Sequence, residues 1–197
     1  MTRYLSSFPP LLVLAGCATS SGVPAADIPE AQIAAAYIPL HRGGLVSGDG
    51  AAMAIAPGIA VTNGHNRNLV DSKAVLGEVK DYDLLFFRDD REPVTATAMA
   101  QPGEAVSAFG QGADGELRLA HGVVKAVETC DGCTAPAYFT FAGDAGPGFS
   151  GGPVLDASGR LIGITFGYKD EGPLRVIYAY PMERVREELS LIREQAK

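Results

Sequence analysis

The sequence predicts an all-β domain that is followed by a single C-terminal helix. Between residues 37 and 181, short apolar runs alternate with turn clusters at an even spacing. Short apolar runs that are bounded by Gly, Pro, Asn or Asp are typical of the strands of a barrel or a sandwich. The 24 glycines and 13 prolines disfavour an all-helical bundle, because both residue types interrupt helices. Only after Pro181 does the apolar pattern change to a helical spacing.

Residues 1–16 have the layout of an export signal. They carry Arg3, no acidic residue and an apolar run that is shorter than the roughly 20 residues needed to span a bilayer. The residues from Leu14 to Cys17 then resemble the lipobox of bacterial lipoproteins, in which the cysteine is diacylated and becomes the mature N-terminus. Ala18 stands where an aspartate signals inner-membrane retention, which points to the periplasmic face of the outer membrane. Ordinary signal cleavage near residue 25 is the alternative.

The next segment, residues 17–36, is predicted to be a flexible tether. Its composition is rich in Ser, Ala, Gly and Pro, which favours a chain without fixed structure. The folded domain is expected to cover residues 37–197. Within that domain, the stretch LDASGRLIGI predicts a hairpin with its turn over Ala157 to Gly159.

The C-terminal segment, residues 182–196, is predicted to be an amphipathic helix. Its apolar residues recur at spacings of three and four, which places them on one face. These residues are Met182, Val185, Leu189 and Ile192. The charge of the other face is balanced, so we expect a helix docked on the β-domain rather than a basic membrane-surface helix.

The overall charge excludes one class of partner. A formal net charge of -7 argues against nucleic acid or anionic lipid as the main electrostatic partner.

The chain has three histidines and three cysteines, which leaves few ligands for a metal cluster. Cys130 and Cys133 flank a turn and are open to three interpretations: a local disulfide, a redox pair or half of a zinc site. Export to an oxidising compartment favours the disulfide, which would close a short loop and stabilise modestly.

The stretch PGFSGGPV is the most specific signal in the chain. Gly148, Gly151 and Gly152 surround Ser150 and allow a sharp turn that brings two amide N–H groups to one point beside the hydroxyl. Such a pair of donors is an oxyanion hole.

Two upstream motifs supply a histidine and an aspartate. His65 follows an apolar strand on a glycine turn in AVTNGHN, and Asp83 directly precedes the buried run LLFF. Asp71 and Asp81 are close alternatives, but the position before LLFF favours Asp83. With Ser150, these residues occur in the order His, Asp, Ser.

These motifs resemble those of trypsin-like serine proteases of the chymotrypsin fold, in the style of the compact bacterial and HtrA-type members. EAVSAFGQG and AHGVVKAVE resemble the opening strands of the family's second barrel. The resemblance covers roughly residues 40–185 and includes no PDZ domain. It implies two packed six-stranded antiparallel barrels, one over about residues 37–100 and one over about residues 101–181, with the C-terminal helix after them.

The resemblance also implies a role for each motif residue. Ser150 would attack the scissile carbonyl, His65 would take its proton and return it to the leaving amine, and Asp83 would orient the imidazole. The backbone N–H groups of Gly148 and Ser150 would hold the oxyanion. No cofactor and no metal would be needed. The stretch LIGITFG resembles the strand that pairs with substrate, which implies a substrate-binding role for Thr165, Phe166 and Gly167.

Two positions bear on specificity and activation. Asp144 lies shortly before Ser150, where trypsin-like members place the acidic base of their specificity pocket, and would select Arg or Lys; a solvated turn aspartate is the alternative. Digestive relatives carry, before the serine, an aspartate that pairs with a freshly cut N-terminus, but here the residue is Phe149. We therefore expect no zymogen cleavage of that kind, and an oxyanion hole that is either preformed or remodelled by ligand.

Together these features predict a serine endopeptidase that acts on exported proteins in the cell envelope. Its expected partners are polypeptide substrates and the membrane, the latter through a lipid on Cys17. The alternative is an inactive lipoprotein of protease fold that serves as a binding or scaffold protein. The presence of all three motif residues favours the enzyme, and the lipobox speaks against a viral processing enzyme.

Overall fold

The computed structural model describes residues 21–43, 48–112, 115–171 and 174–195. The predicted signal and the predicted lipidation site at Cys17 lie outside the described residues. The strands are β1 (Val23–Pro24), β2 (Tyr37–Arg42), β3 (Gly48–Ala56), β4 (Ile59–Asn63), β5 (Val75–Val79), β6 (Leu84–Arg88), β7 (Ala105–Gln111), β8 (Leu117–Glu128), β9 (Tyr138–Gly143), β10 (Pro153–Asp156), β11 (Leu161–Glu171) and β12 (Leu174–Pro181). The helices are α1 (Ala31–Ala36), α2 (Met182–Gln195) and the two 3-10 helices Gly64–Leu69 and Lys80–Tyr82.

The C-terminal half of the chain forms a closed antiparallel barrel. Its sheet has the order β1-β8-β7-β10-β11-β12-β9, and β8 also pairs with β9, which closes six strands on themselves. The predicted hairpin over residues 155–164 is confirmed, because β10 and β11 pair as neighbours. Phe139, Phe141 and Phe149 fill the barrel interior and are essentially inaccessible to solvent.

The N-terminal half forms the second antiparallel sheet, with the order β2-β3-β4-β6-β5. Among the described residues it contains five hydrogen-bonded strands, one fewer than the resemblance implies. The segment between β6 and β7 runs back toward the barrel instead of completing the sheet: it forms a bridge between Thr97 and Leu161 of β11. This segment is a poor candidate for a strand. Pro93 lacks an N–H group to donate to a neighbouring strand, and the residues before it are charged. The predicted all-β class with a C-terminal helix is nevertheless confirmed.

A buried hydrogen bond joins the two sheets. Gln111 at the end of β7 donates its Nε2 to the hydroxyl of Tyr37 on β2, at 2.6 Å. Burial raises the pKa of Tyr37 to about 12, so its hydroxyl stays neutral over the physiological range. The bond satisfies polar atoms that would otherwise be costly to bury at this interface.

The predicted C-terminal helix is present as α2. Met182, Val185 and Leu189 are buried in the core between the sheets. The helix also buries an ion pair, because Arg184 donates to Glu188 at 3.1 Å and to the backbone carbonyl of Ala135 at 2.7 Å. No helix among the described residues is long and apolar enough to cross a membrane.

The predicted flexible tether, residues 17–36, is corrected over the part that the structure describes, residues 21–36. From Ser21 onward this segment contains β1 and α1 rather than free chain. Ile28, Ile33 and Ala36 are buried in the same core as α2, which gives the segment an apolar side. Composition indicated a tether because most of its residues are small, but the few apolar side chains suffice to bind it to the domain.

Candidate active site

The three motif residues lie where the two sheets face each other, and the carbonyl of Ser150 bonds across to the other sheet. His65 lies on the 3-10 helix that follows β4, and Asp83 lies between the second 3-10 helix and β6. Ser150 lies on the turn between β9 and β10 of the barrel. Each sheet therefore contributes one side of the site.

Strand register brings His65 and Asp83 together. Because β4 and β6 pair Asn63 with Leu84, the residues just beyond these positions are neighbours. The imidazole Nδ1 of His65 is 2.6 Å from Asp83 Oδ2, and the backbone N–H of His65 donates to Asp83 Oδ1 at 3.0 Å. Asp83 adopts a φ of 46°, a left-handed conformation that aspartate tolerates better than most residues. The carboxylate thus holds His65 through both its ring and its backbone, and the ring contact favours a proton on Nδ1, which leaves Nε2 as the basic nitrogen.

The His65–Asp83 pair is open to solvent. The side chains are 47% and 39% exposed, so water screens the electrostatic part of this hydrogen bond and the contact acts mainly by fixing geometry. The alternative aspartates do not take this place: Asp71 accepts a hydrogen bond from the backbone N–H of Lys73, and Asp81 is exposed.

The turn around Ser150 requires glycine at two positions. Gly148 and Gly151 have φ values of 88° and 83°, a region that side chains disfavour. A Cβ at Gly148 would overlap the carbonyl oxygen of Gln111, and one at Gly151 would overlap that of Ala51. The glycines therefore let the turn pack directly on the backbone of both sheets.

The turn leaves two amide donors available, as an oxyanion hole requires. The N–H groups of Phe149, Gly151 and Gly152 each donate to a backbone carbonyl, at 2.8 to 3.1 Å. By contrast, the N–H groups of Gly148 and Ser150 donate no hydrogen bond within the described part of the chain. These are the two donors that the resemblance assigns to the oxyanion.

Asn66 connects the two sides of the site and was missed by sequence reasoning. Its buried side chain donates from Nδ2 to the backbone carbonyl of Ser150 and to Thr62 Oγ1, both at 3.0 Å. The same Ser150 carbonyl accepts the N–H of Ala51 at 2.9 Å. The residue next to His65 is thereby bonded to the residue that carries the hydroxyl. Within the described residues no hydrogen bond joins Ser150 Oγ to His65 Nε2, and this contact is often long without substrate.

The predicted substrate strand borders the site. Thr165 is buried, its carbonyl accepts the N–H of Gly151 at 2.8 Å, and its N–H donates to Gly152 at 2.9 Å. The pairing of β10 with β11 ends at Ile164, so from Phe166 onward β11 has β12 as its one partner strand among the described residues. Peptide recognition by strand addition uses a sheet edge of this kind.

A small cavity lies between Ser150 and this strand. Its volume of about 10 Å³ is enough for about one water molecule. The lining residues are Gly146, Ser150, Thr165, Gly167, Tyr168 and Ile177. The structure does not bring Asp144 into this cavity, since its side chain is exposed on the turn after β9.

An aromatic cluster forms the wall between Asp83 and the substrate strand. Phe166 stacks on Tyr180 with ring centroids 4.0 Å apart, and Tyr82 meets Tyr180 edge-on at 5.7 Å. Burial raises the pKa of Tyr180, and the negative charge of Asp83 adds to the increase. Tyr180 therefore stays neutral and supports the backbone around Asp83 as a packing residue.

A β-barrel packed on a second sheet, with a paired histidine and a glycine-flanked serine at their junction, defines the class of two-barrel serine peptidases. Residues 45–164 match the family model of the trypsin-like peptidase domain, and the chain belongs to that family. A comparison with curated proteins finds no match.

Solved structures of HtrA-type proteases share the fold. The protease AlgW with a tripeptide superimposes with a TM-score of 0.68 at 21% identity, over 84% of this chain and 62% of that one. AlgW with a decapeptide gives 0.68 at 18% identity, over 83% and 66%. The chain therefore spans less than two thirds of the length of either AlgW chain, and the likeness establishes the chymotrypsin-like fold.

Proposed function

We propose that this chain is a serine endopeptidase that cleaves polypeptides through an acyl-enzyme intermediate. One observation carries the proposal: Asp83 bonds to His65 through the imidazole Nδ1 and through the backbone N–H, and the adjacent Asn66 bonds to the carbonyl of Ser150. A nucleophile, a base and a group that orients the base are thus assembled from two separate sheets.

In the proposed reaction, Ser150 Oγ attacks the scissile carbonyl carbon while His65 Nε2 accepts the hydroxyl proton. The electron pair of the carbonyl moves to its oxygen, where the N–H groups of Gly148 and Ser150 stabilise the negative charge. Collapse of the intermediate breaks the C–N bond, and His65 gives its proton to the departing amine. Water then repeats the sequence to release the acyl group and restore Ser150.

The substrate is proposed to be an extended polypeptide with a small uncharged side chain at the cleavage site. The edge of β11 from Phe166 onward fits a peptide backbone, and AlgW has been solved with a tripeptide and a decapeptide. The cavity beside Ser150 has room for little more than a methyl group. Selection of Arg or Lys by Asp144 is disfavoured, because the carboxylate is exposed outside that cavity.

The proposed site of action is the cell envelope, with a lipid on Cys17 as the anchor. The lipobox-like residues before Cys17 and the disulfide between Cys130 and Cys133 support this, since disulfides persist in oxidising compartments. Metabolic labelling with a fatty acid, compared between wild type and Cys17→Ala, tests the anchor. Equal labelling of both proteins would refute it.

Labelling with a fluorophosphonate probe tests the proposed chemistry. The wild type should label and Ser150→Ala should not, because the probe forms a covalent bond with an activated serine. Ser190→Ala is a matched control, since Ser190 is exposed on α2 and bonds to the carbonyl of Arg186. Labelling that survives Ser150→Ala, or a folded wild type that does not label, would contradict the proposal and leave a peptide-binding role.

A further inference from the structure

A short segment on the N-terminal side of α1 forms a strap on the barrel that carries Ser150. This N-terminal strap, residues 21–24, contains β1, which pairs with β8 through Val23 and Leu119. Ser21 is buried although it precedes the first strand. The strap therefore belongs to the structure around the serine turn rather than to a linker.

The strap is bonded to the loop that leads to the nucleophile, residues 144–149. The N–H of Gly22 donates to the carbonyl of Asp144 at 3.1 Å. The hydroxyl of Ser21 accepts a hydrogen bond from Arg175 Nη1 at 2.7 Å, and the same nitrogen reaches the carbonyl of Ala145 at 3.4 Å. Arg175 thus ties the strap and the loop to each other.

The strap also packs against the residue that precedes the nucleophile. A Cβ built on Gly22 would lie 2.9 Å from Cζ of Phe149 and 2.6 Å from the carbonyl oxygen of Leu119. The backbone at Gly22 has a φ of 64°, so glycine suits this position both sterically and conformationally. Phe149 is 1% exposed and its N–H donates to the carbonyl of Gly146, a residue of the cavity wall.

A buried guanidinium fixes the strap from the other side. Arg118 is 7% exposed, and it donates from Nε to the carbonyl of Ser21 at 3.1 Å and from Nη2 to that of Gly22 at 2.7 Å. The carbonyls of Ser21 and Gly22 thus accept charge-assisted hydrogen bonds, which are stronger than bonds between neutral groups. Release of the strap would remove these two acceptors from a buried arginine, so the bound strap is favoured.

We propose that Ser21 and Gly22 are positioning residues that hold the 144–149 loop, and through Phe149 the two oxyanion donors, in the catalytic arrangement. The inference rests on the proposed function. Digestive relatives order the same region with a freshly cut N-terminus that pairs with an aspartate, whereas this chain has Phe149 there. A strap packed on an aromatic ring and bonded to Arg118 and Arg175 takes that place in this chain.

The test compares Gly22→Ala with Gly58→Ala in the full-length chain. Gly58 has a φ of 72° and nothing within 4 Å of a built Cβ, so the control carries the same backbone strain without the collision. We expect Gly22→Ala to lower the kcat of peptide hydrolysis about a hundredfold, the loss typical of a misplaced oxyanion donor. Gly58→Ala should stay within twofold of the wild type.

Hydrogen–deuterium exchange supplies a readout that does not depend on catalysis. Amides of residues 144–150 should exchange at least tenfold faster in Gly22→Ala than in Gly58→Ala. Unchanged exchange, or faster exchange with an unchanged kcat, would overturn the inference. If the wild type fails to label at Ser150, the proposed function fails, but exchange still decides whether the strap holds the loop. Should Gly22→Ala not fold, Ser21→Ala replaces it with the same expectations, reduced to about tenfold in kcat because one hydrogen bond is lost.

Discussion

Replacement of Asn66 by alanine tests whether the bond across the sheets matters for catalysis. The change removes the two 3.0 Å hydrogen bonds from Nδ2 to Ser150 and Thr62. The Ser150 carbonyl keeps its bond from Ala51 at 2.9 Å, so no buried acceptor there is left without a donor. At about 0.5–1.5 kcal/mol for each bond, we expect the free energy of unfolding to fall by about 1–3 kcal/mol. The chain should remain folded at 25 °C, since domains have about 5–15 kcal/mol of stability.

The larger effect should fall on turnover. The bond fixes the 3-10 helix that carries His65 relative to Ser150, and a displacement of about 1 Å between reacting groups costs on the order of a hundredfold in rate. We therefore expect the kcat for a fluorogenic peptide to fall about 10- to 100-fold, while KM changes little because the substrate edge of β11 is intact.

The control for this experiment is Asn68→Ala. Asn68 lies on the same 3-10 helix, but its side chain is exposed, so the substitution changes the helix sequence without loss of the bond. If Asn66→Ala and Asn68→Ala have the same kcat and differ in stability alone, Asn66 is a structural residue and the reasoning is refuted.

Three further predictions concern charge and specificity. His65→Ala should abolish fluorophosphonate labelling. His121 is an exposed histidine on β8, so His121→Ala is the control that should keep the labelling. Equal labelling of the two variants would exclude His65 as the base. Burial alone would raise the pKa of Asp156, but the hydrogen bonds from Arg160 and Ser158, together with the charge of Arg160, outweigh it and hold that pKa below its usual value. Asp156 thus stabilises the fold fully above about pH 4 and loses that contribution as pH falls through its lowered pKa. We expect Asp156→Asn to lower the free energy of unfolding in urea by about 1–3 kcal/mol at pH 7 and by less at pH 3. An equal loss at both pH values would contradict this. Finally, alanyl peptides should be cleaved with a higher kcat/KM than arginyl peptides, and Asp144→Asn should leave the ratio of these two kcat/KM values unchanged. A preference for arginine that this variant removes would restore Asp144 as the base of the pocket.

The motif residues could be predicted because their signals are local. Glycines on both sides of Ser150, a strand end before His65 and a buried run after Asp83 are visible within a few residues. The choice of Asp83 over its neighbours depended on its place before β6, and the structure pairs that residue with His65 through the register of β4 and β6.

The residues that sequence reasoning misplaced depend on distant partners. The segment over residues 21–36 has the composition of a tether, and its order comes from Ile33 in the common core and from Arg118 and Arg175 beyond it in the chain. Asn66 carries no distinguishing local signal, since its acceptor on Ser150 lies in the other sheet.

By itself the sequence determined the all-β class, the C-terminal helix and the residues of the candidate triad, because backbone turns and apolar periodicity depend on near neighbours in the chain. The tertiary structure alone decided that Asn66 bonds to Ser150, where Asp144 lies, and that the strap at Gly22 packs on Phe149. These outcomes depend on strand register and on the packing of side chains far apart in sequence, and neither is encoded within any short window of residues.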